Sequence, residues 1–280
     1  MYRNALSPPL FPSPWAAAWG EDRYGLWQML KLGEVEQVFR WIEPGTFMMG
    51  SPENEPEREW MGNLQGSESE HLVTLNGFWL ADTAVTQAFW LAVMDGDNPS
   101  RFQDNPSNPI ERVSCLDAQQ FMARLNDKVA GLFAQLPSEA QWEYACRAGT
   151  TTPFSFGANI TPEQVNYDGN YPYADGEKGL YREKTVPVKS LPANLWGLYE
   201  MHGNVWEWCQ DVWQTELGTA AVVDPLTQAD EDAGGDRVLR GGSWILDGRN
   251  VRSAIRDHFR PVNRNDRVGF RLALGHAELR

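Results

Sequence analysis

The sequence predicts a single α+β domain with few helices, short strands and long ordered loops. Three observations point there. Only three stretches carry apolar side chains at helical spacing, and two of them open on residues suited to cap a helix. Short alternating runs lie on both sides of those stretches. Finally, 13 tryptophans and 25 glycines accompany a chain of 280 residues that is 42% hydrophobic, with almost no periodicity between residues 150 and 235. Many indoles and glycines suggest loops anchored by aromatic side chains rather than a helical bundle.

In chain order, residues 1–20 read as a Pro/Ala arm, and residues 1–34 are taken as an N-terminal arm packing on a body of residues 35–280. Trp15, Trp19 and Trp27 are the side chains that would dock it. Val35 to Met49 alternates and turns at Pro44-Gly45, which predicts a hairpin. Residues 51–70 are polar and Glu-rich and are expected to be a solvated loop. His71 to Leu80 alternates as one strand. Thr83 to Val93 has helical spacing and ends by Asn98-Pro99-Ser100. Ser114 caps a helix from Leu116 to Val129, and Ser138 with Gln141 forms a capping box for a helix that stops before Gly149. Residues 150–235 are mostly loop. Strands return at Arg237–Trp244 and Val268–Leu274. No linker or repeat divides the chain.

Composition excludes several classes. The apolar fraction excludes a disordered chain, and no apolar window is long enough for a membrane-spanning helix. A net charge of −14 argues against nucleic acid as the partner. Prolines at 8, 9, 12 and 14 break the N-terminal stretch before any apolar signal region forms, so the cytoplasm is the default expectation. Cys115, Cys146 and Cys209 are far apart and are expected to be reduced and buried. The four histidines include no pair at metal-binding helical spacing.

Ordered motifs then become specific. They are Gly45-Thr46-Phe47-Met48-Met49-Gly50-Ser51, Asn98-Pro99-Ser100-Arg101-Phe102, Leu136-Pro137-Ser138-Glu139-Ala140-Gln141-Trp142-Glu143-Tyr144, Asn194-Leu195-Trp196-Gly197-Leu198-Tyr199-Glu200-Met201-His202-Gly203-Asn204-Val205-Trp206-Glu207-Trp208, Arg240-Gly241-Gly242-Ser243-Trp244 and Gly269-Phe270-Arg271-Leu272. Together they resemble the formylglycine-generating enzyme (sulfatase-modifying factor) family over roughly Val38 to Leu274. The resemblance implies a C-type-lectin-like fold with sparse secondary structure. Enzymes of that family use two copper-binding cysteines, and the matching positions here are Leu246 and Val251. Neither side chain can bind Cu(I) or exchange with a thiol, so no copper and no formylglycine-generating activity are expected. A sulfoxide-forming branch holds iron through histidines on an added helical domain that has no match here, so no iron is expected.

The segment 244–270 also resembles the variable region of diversity-generating-retroelement target proteins, which display diversified residues on the same fold. In such proteins the adenines of AAC codons are randomised, which cannot yield Lys, Glu, Gln, Met or Trp. None of the five occurs between Ile245 and Val268. The resemblance places Ile245, Leu246, Asp247, Ile255, Asp257, His258, Phe259, Arg260, Asp266 and Arg267 at diversified positions. They are expected to be exposed on one face and to bind an unknown protein or other macromolecule. A chance composition bias, with Ile255 simply in the core, is the alternative. The other functional readings are a non-variable regulatory or binding module and an unassigned enzyme of the same superfamily.

Nine arginines against three aspartates between Arg237 and Arg271 make the segment basic on an acidic body. Either this forms a basic patch, or Arg240, Arg252, Arg256 and Arg271 pair with buried carboxylates; the second is the expectation for those four. The family resemblance also implies a Ca²⁺ site at Glu200, Gly203, Val205 and Glu207, with Glu207 pairing an arginine as the alternative. It implies a second site at Asn166 and the Tyr167 carbonyl.

Overall fold

A computed structural model describes residues 6–58, 68–228 and 235–275. The elements run β1 (Ala18–Asp22), β2 (Gly25–Leu32), β3 (Val35–Ile42), β4 (Gly45–Met49), β5 (His71–Leu75), β6 (Phe78–Ala81), α1 (Gln87–Val93), α2 (Cys115–Lys128), β7 (Ala134–Gln135), α3 (Glu139–Arg147), β8 (Trp206–Val212), β9 (Val222–Val223), β10 (Arg237–Arg240), β11 (Arg256–Phe259), β12 (Val268–Gly269) and β13 (Ala273–Leu274). They form sheets of six strands (β1-β2-β3-β6-β13-β7), four (β11-β10-β8-β12) and three (β4-β5-β9).

The helices follow from their caps. Ser114 and Asp117 form a reciprocal capping box on α2, and Ser138 and Gln141 form one on α3. α2 then buries Ala118, Phe121, Met122 and Leu125 at helical spacing. Phe121 stacks on Trp90 at 5.6 Å and meets the edge of Phe270 at 5.4 Å, so α1, α2 and the C-terminal segment share one core. α1 is shorter than expected: Thr86 caps it, because residues 83–85 instead pair with the chain near Ile110 and Phe270.

The strand pairings depart from expectation. β3 and β4 are both strands, but β3 pairs with β2 and β6 while β4 pairs with β5, so no hairpin joins them. The run His71–Leu80 is two strands in two sheets. It breaks at Asn76-Gly77, where a Cβ on Gly77 would overlap the Trp41 ring. The expected arm of residues 1–34 is also corrected. Ala18–Asp22 pairs with Gly25–Leu32 across a turn at Arg23-Tyr24, which Gly25 closes at φ +96°, and Gly25–Leu32 in turn pairs with β3. Trp27 thus belongs to the sheet, whereas Trp15 packs edge-on against Phe39. β8 lies inside the expected loop of residues 150–235. The loop expected at 51–70 is not simply solvated, since Glu55 and Glu68 are buried; residues 59–67 lie outside the described ones.

Candidate functional site

The C-terminal segment is built on a frame of buried arginines. Arg271 grips Glu207 through Nε and Nη2 at 2.6 and 2.8 Å. Arg252 reaches Glu68 at 2.8 Å and also Glu55. Arg256 holds both oxygens of Glu139, and Arg240 donates to Glu143 and to the Ser253 and Ile255 carbonyls. All four side chains are essentially inaccessible. Burial alone would push the Glu68 and Glu139 carboxyls up. The guanidinium of Arg252 for Glu68, and those of Arg256 and Arg240 for Glu139, outweigh it and hold both below the usual range. Pairing with buried carboxylates is therefore what these arginines do. Arg260, Arg264 and Arg267 are the exposed cations of the stretch 256–271, with Arg264 paired to Asp117 and Arg267 lying 3.9 Å from Asp266.

The ten expected surface positions separate into unlike groups. Ile255 is in the core at 3% exposure, which corrects its placement: the Arg240 clamp on its carbonyl turns the side chain inward. Leu246 and Phe259 are half-buried and pack on that core. Ile245, Asp247, Asp257, His258 and Asp266 are half-exposed, and Arg260 and Arg267 are exposed.

They also fail to form one face. Phe259 is level with Arg237 and, across β10, with Val212, whereas Val268 is level with Trp206. These are opposite ends of β8, so the groups lie roughly 20 Å apart along the strand. One patch gathers Ile245–Asp247 with Asp266 and Arg267 around Trp244. The Trp244 indole donates to the Asp266 carbonyl at 2.9 Å, meets Phe102 edge-on at 5.3 Å and stacks on Tyr181 at 6.3 Å. Arg101 pairs with Asp266, while Leu246 O accepts from Asp168 N and Gly248 N donates to Tyr171 O. Tyr171 and Leu180 are each 56% exposed nearby in sequence. The other patch is β11 with its neighbours. His258 pairs with Asp236 at 2.6 Å and stacks on Trp213 at 4.5 Å, which also receives the Arg256 guanidinium at 4.3 Å. Asp257 accepts from the His258 amide; burial raises its carboxyl. Arg101, Phe102, Tyr171, Tyr181 and Trp213 were not legible as site residues, because they sit in aperiodic loops; the density of Tyr around Pro172 was the available signal.

The positions of the family's cysteines hold Val251, fully buried, and Leu246, half-buried. Cys115, Cys146 and Cys209 are free and buried. Cys146 lies 3.6 Å from His202 Nε2, an arrangement that could activate a thiol elsewhere. Here burial pushes the thiol up to about 12 and the imidazole down to about 4, so both are neutral. His202 donates from Nδ1 to the Val251 carbonyl at 2.7 Å, and Nε2 accepts from the Ser155 amide. The pair braces two loops.

The first calcium set does not fit a cation. Both oxygens of Glu207 are taken by Arg271, and Oε2 also accepts from the Trp142 indole at 2.7 Å. The Glu200 carboxyl accepts from the amides of Lys189 and Leu191, and burial raises it to about 7. That assignment of Glu200, Gly203, Val205 and Glu207 is corrected in favour of the arginine pair. The second set keeps one supporting feature. Asn166 donates from Nδ2 to Lys184 O and Asn204 Oδ1, while its buried Oδ1 has no partner among the described residues. Among the described residues no group of three or more His, Cys, Asp or Glu could hold a metal ion.

The fold and site define a class: a C-type-lectin-like α+β scaffold whose long loops are held by buried arginine–carboxylate pairs and indoles. The sulfatase-modifying factor enzyme 1-like domain model matches residues 31–275, and the chain belongs to that family. It is 31% identical over 209 residues to the formylglycine-generating enzyme of Bos taurus, covering 69% of this chain and 53% of that protein. It is equally 31% identical over 207 residues to the inactive Cα-formylglycine-generating enzyme 2 of Bos taurus, covering 71% and 59%. The chain thus spans a little over half the length of these relatives. Among solved structures, Treponema denticola variable protein 1 superposes with a TM-score of 0.72 at 26% identity, over 89% of this chain and 98% of that one. PvdO from Pseudomonas aeruginosa gives 0.72 at 29% identity, over 88% and 97%.

Proposed function

We propose that this protein is a non-catalytic ligand-binding member of its family, displaying a macromolecule-binding surface from the C-terminal segment. The observation that carries the reading is the division of that segment. Arg240, Arg252, Arg256 and Arg271 are buried and paired, while positions between them present Ile245, Asp247, His258, Phe259, Arg260 and Arg267 at least partly to solvent. A surface that mixes aromatic, Arg and small polar groups on a rigid support suits recognition. Likeness to an inactive relative and to a variable protein supports it. Leucine and valine at the cysteine positions support the absence of copper chemistry. Incubation with Cu(I) and a sulfatase-motif peptide should give no aldehyde; turnover would reject the non-catalytic reading.

Diversification of the segment is part of the proposal, now confined to positions outside the core. Ile255 is excluded from it. The readout is genomic: a near-identical copy of the 3′ end, differing at adenines beside a reverse-transcriptase gene. A gene lacking any such copy would reduce the reading to a fixed binding module. Calcium enters the proposal only at Asn166 and the Tyr167 carbonyl, where it would tie the loop to the body. A chelator should then lower the melting temperature, and calorimetry should register Ca²⁺ uptake.

No helix among the described residues is long and apolar enough to cross a membrane.

A further inference from the structure

A cavity of about 300 Å³ opens between α2, β7, β8 and β10, sharing no residue with the candidate surface. Its apolar side is Cys115, Met122, Leu136 and Leu226; its polar side is Gln119, Gln135, Gln210, Gln228 and Arg237. Its volume lies at the small end of ligand pockets, and apolar walls with a few convergent polar groups are their usual lining.

Arg237 is the one charged residue of the lining. Unlike the buried arginines, it faces no carboxylate among the described residues. Its Nη1 donates to the Gln210 carbonyl at 2.7 Å, and its buried Nε has no partner among the described residues. The four glutamine side chains likewise make no hydrogen bond to any described residue. Each can donate and accept. Among the described residues the site thus offers a guanidinium with no carboxylate partner, a ring of free amides and an apolar floor.

We infer that this cavity binds a small organic monocarboxylate, with the carboxylate on Arg237, the amides around it and the apolar body against Met122, Leu136 and Leu226. A guanidinium matches a carboxylate in charge and in fork geometry, and a buried unpaired Nε is costly unless a ligand meets it. The thiol of Cys115 takes no part as a nucleophile, since burial raises it to about 11.

The test uses the full chain with benzoate and hexanoate, and with benzamide and hexanamide as neutral isosteres, followed by calorimetry and ligand-observed NMR. The carboxylates should bind, and the amides should bind about ten- to a hundredfold more weakly. Arg237→Met should weaken carboxylate binding by a similar factor. Gln119→Trp, at an exposed helix position, should fill the cavity and abolish binding while leaving Arg237 in place. Equal binding of acids and amides, or carboxylate binding unaffected by both variants, would overturn the assignment. So would no carboxylate binding at about 10 mM. A peptide C-terminus binding far more tightly than the free acids would also overturn it, in favour of a protein partner.

Discussion

Arg252 and Arg260 lie in one short segment and in opposite physical situations. Arg252 is sealed between Glu55 and Glu68 with no exposed side-chain surface, whereas Arg260 stands in solvent. The same contrast separates Ile255, in the core, from Ile245, at the rim of the Trp244 patch. Residue type therefore says little about role here. What decides it is whether the backbone at that point is clamped from inside. Arg240 holds the carbonyls of Ser253 and Ile255, and the chain beyond is released toward the surface at β11. Buried, paired side chains and solvent-facing ones alternate within one stretch.

The largest test of that division is Arg252→Leu. It leaves Glu55 and Glu68 buried without their counter-charge, and stability should fall by about 3–5 kcal/mol in urea denaturation. A loss near 1 kcal/mol would mean the frame is replaceable and the division unreal.

Next is the His202 brace. The unfolded chain takes up a proton below 6.5, but the folded ring resists it down to about 4. Its contribution is therefore complete above pH 6.5 and is lost as pH falls through that interval, on the order of 3 kcal/mol. A His202→Gln variant should lack that rising component, so its stability should fall progressively further below that of the unaltered protein as pH goes from about 4 to 6.5. Parallel profiles for the two proteins would remove the brace. Glu200 and Asp211, both raised to about 7 chiefly by burial, act in the opposite sense: their contribution declines as pH rises from about 4 toward 7. The variant's residual slope should have that sign.

A finer comparison sets Ile255→Ala against Ile245→Ala. The first opens a core cavity and should cost about 2–4 kcal/mol; the second should cost under about 1. Equal costs would dissolve the boundary drawn between them. Smallest of all, Arg260→Ala with Arg267→Ala should move stability by no more than about 0.5 kcal/mol while altering any macromolecular binding.

Much of this was legible where the signal is local. Ser114 with Asp117, and Ser138 with Gln141, announce α2 and α3 through a few neighbouring residues. The arginine–carboxylate pairing was also legible, because four arginines among Gly and Ser in an acidic chain need partners. Pairing between strands was not. β3 and β4 each alternate well, yet their partners lie elsewhere, and nothing local distinguishes a hairpin from two strands that part company. β8 was hidden for another reason. Trp206 to Cys209 are all buried, so the alternation of a half-exposed strand is absent. Which positions of the segment face solvent was the least legible, since Ile245 and Ile255 differ only in what the rest of the chain does around them.

The two residues of β13 have a consequence for how the chain is made. Ala273 and Leu274 are hydrogen-bonded between β6 and β7, so the six-stranded sheet closes only once residues 273–274 have left the ribosome. Everything encoded after a frameshift in the stretch 244–270 is lost together: the partner of Glu207, the core side chains Phe270 and Leu272, and the strand that joins β7 to the rest. Such a product would not be a protein with an altered surface but one with an open sheet and an unpaired buried carboxylate. The order of translation therefore places closure of the sheet after the segment 244–270, so a message that loses frame within that segment yields an open molecule.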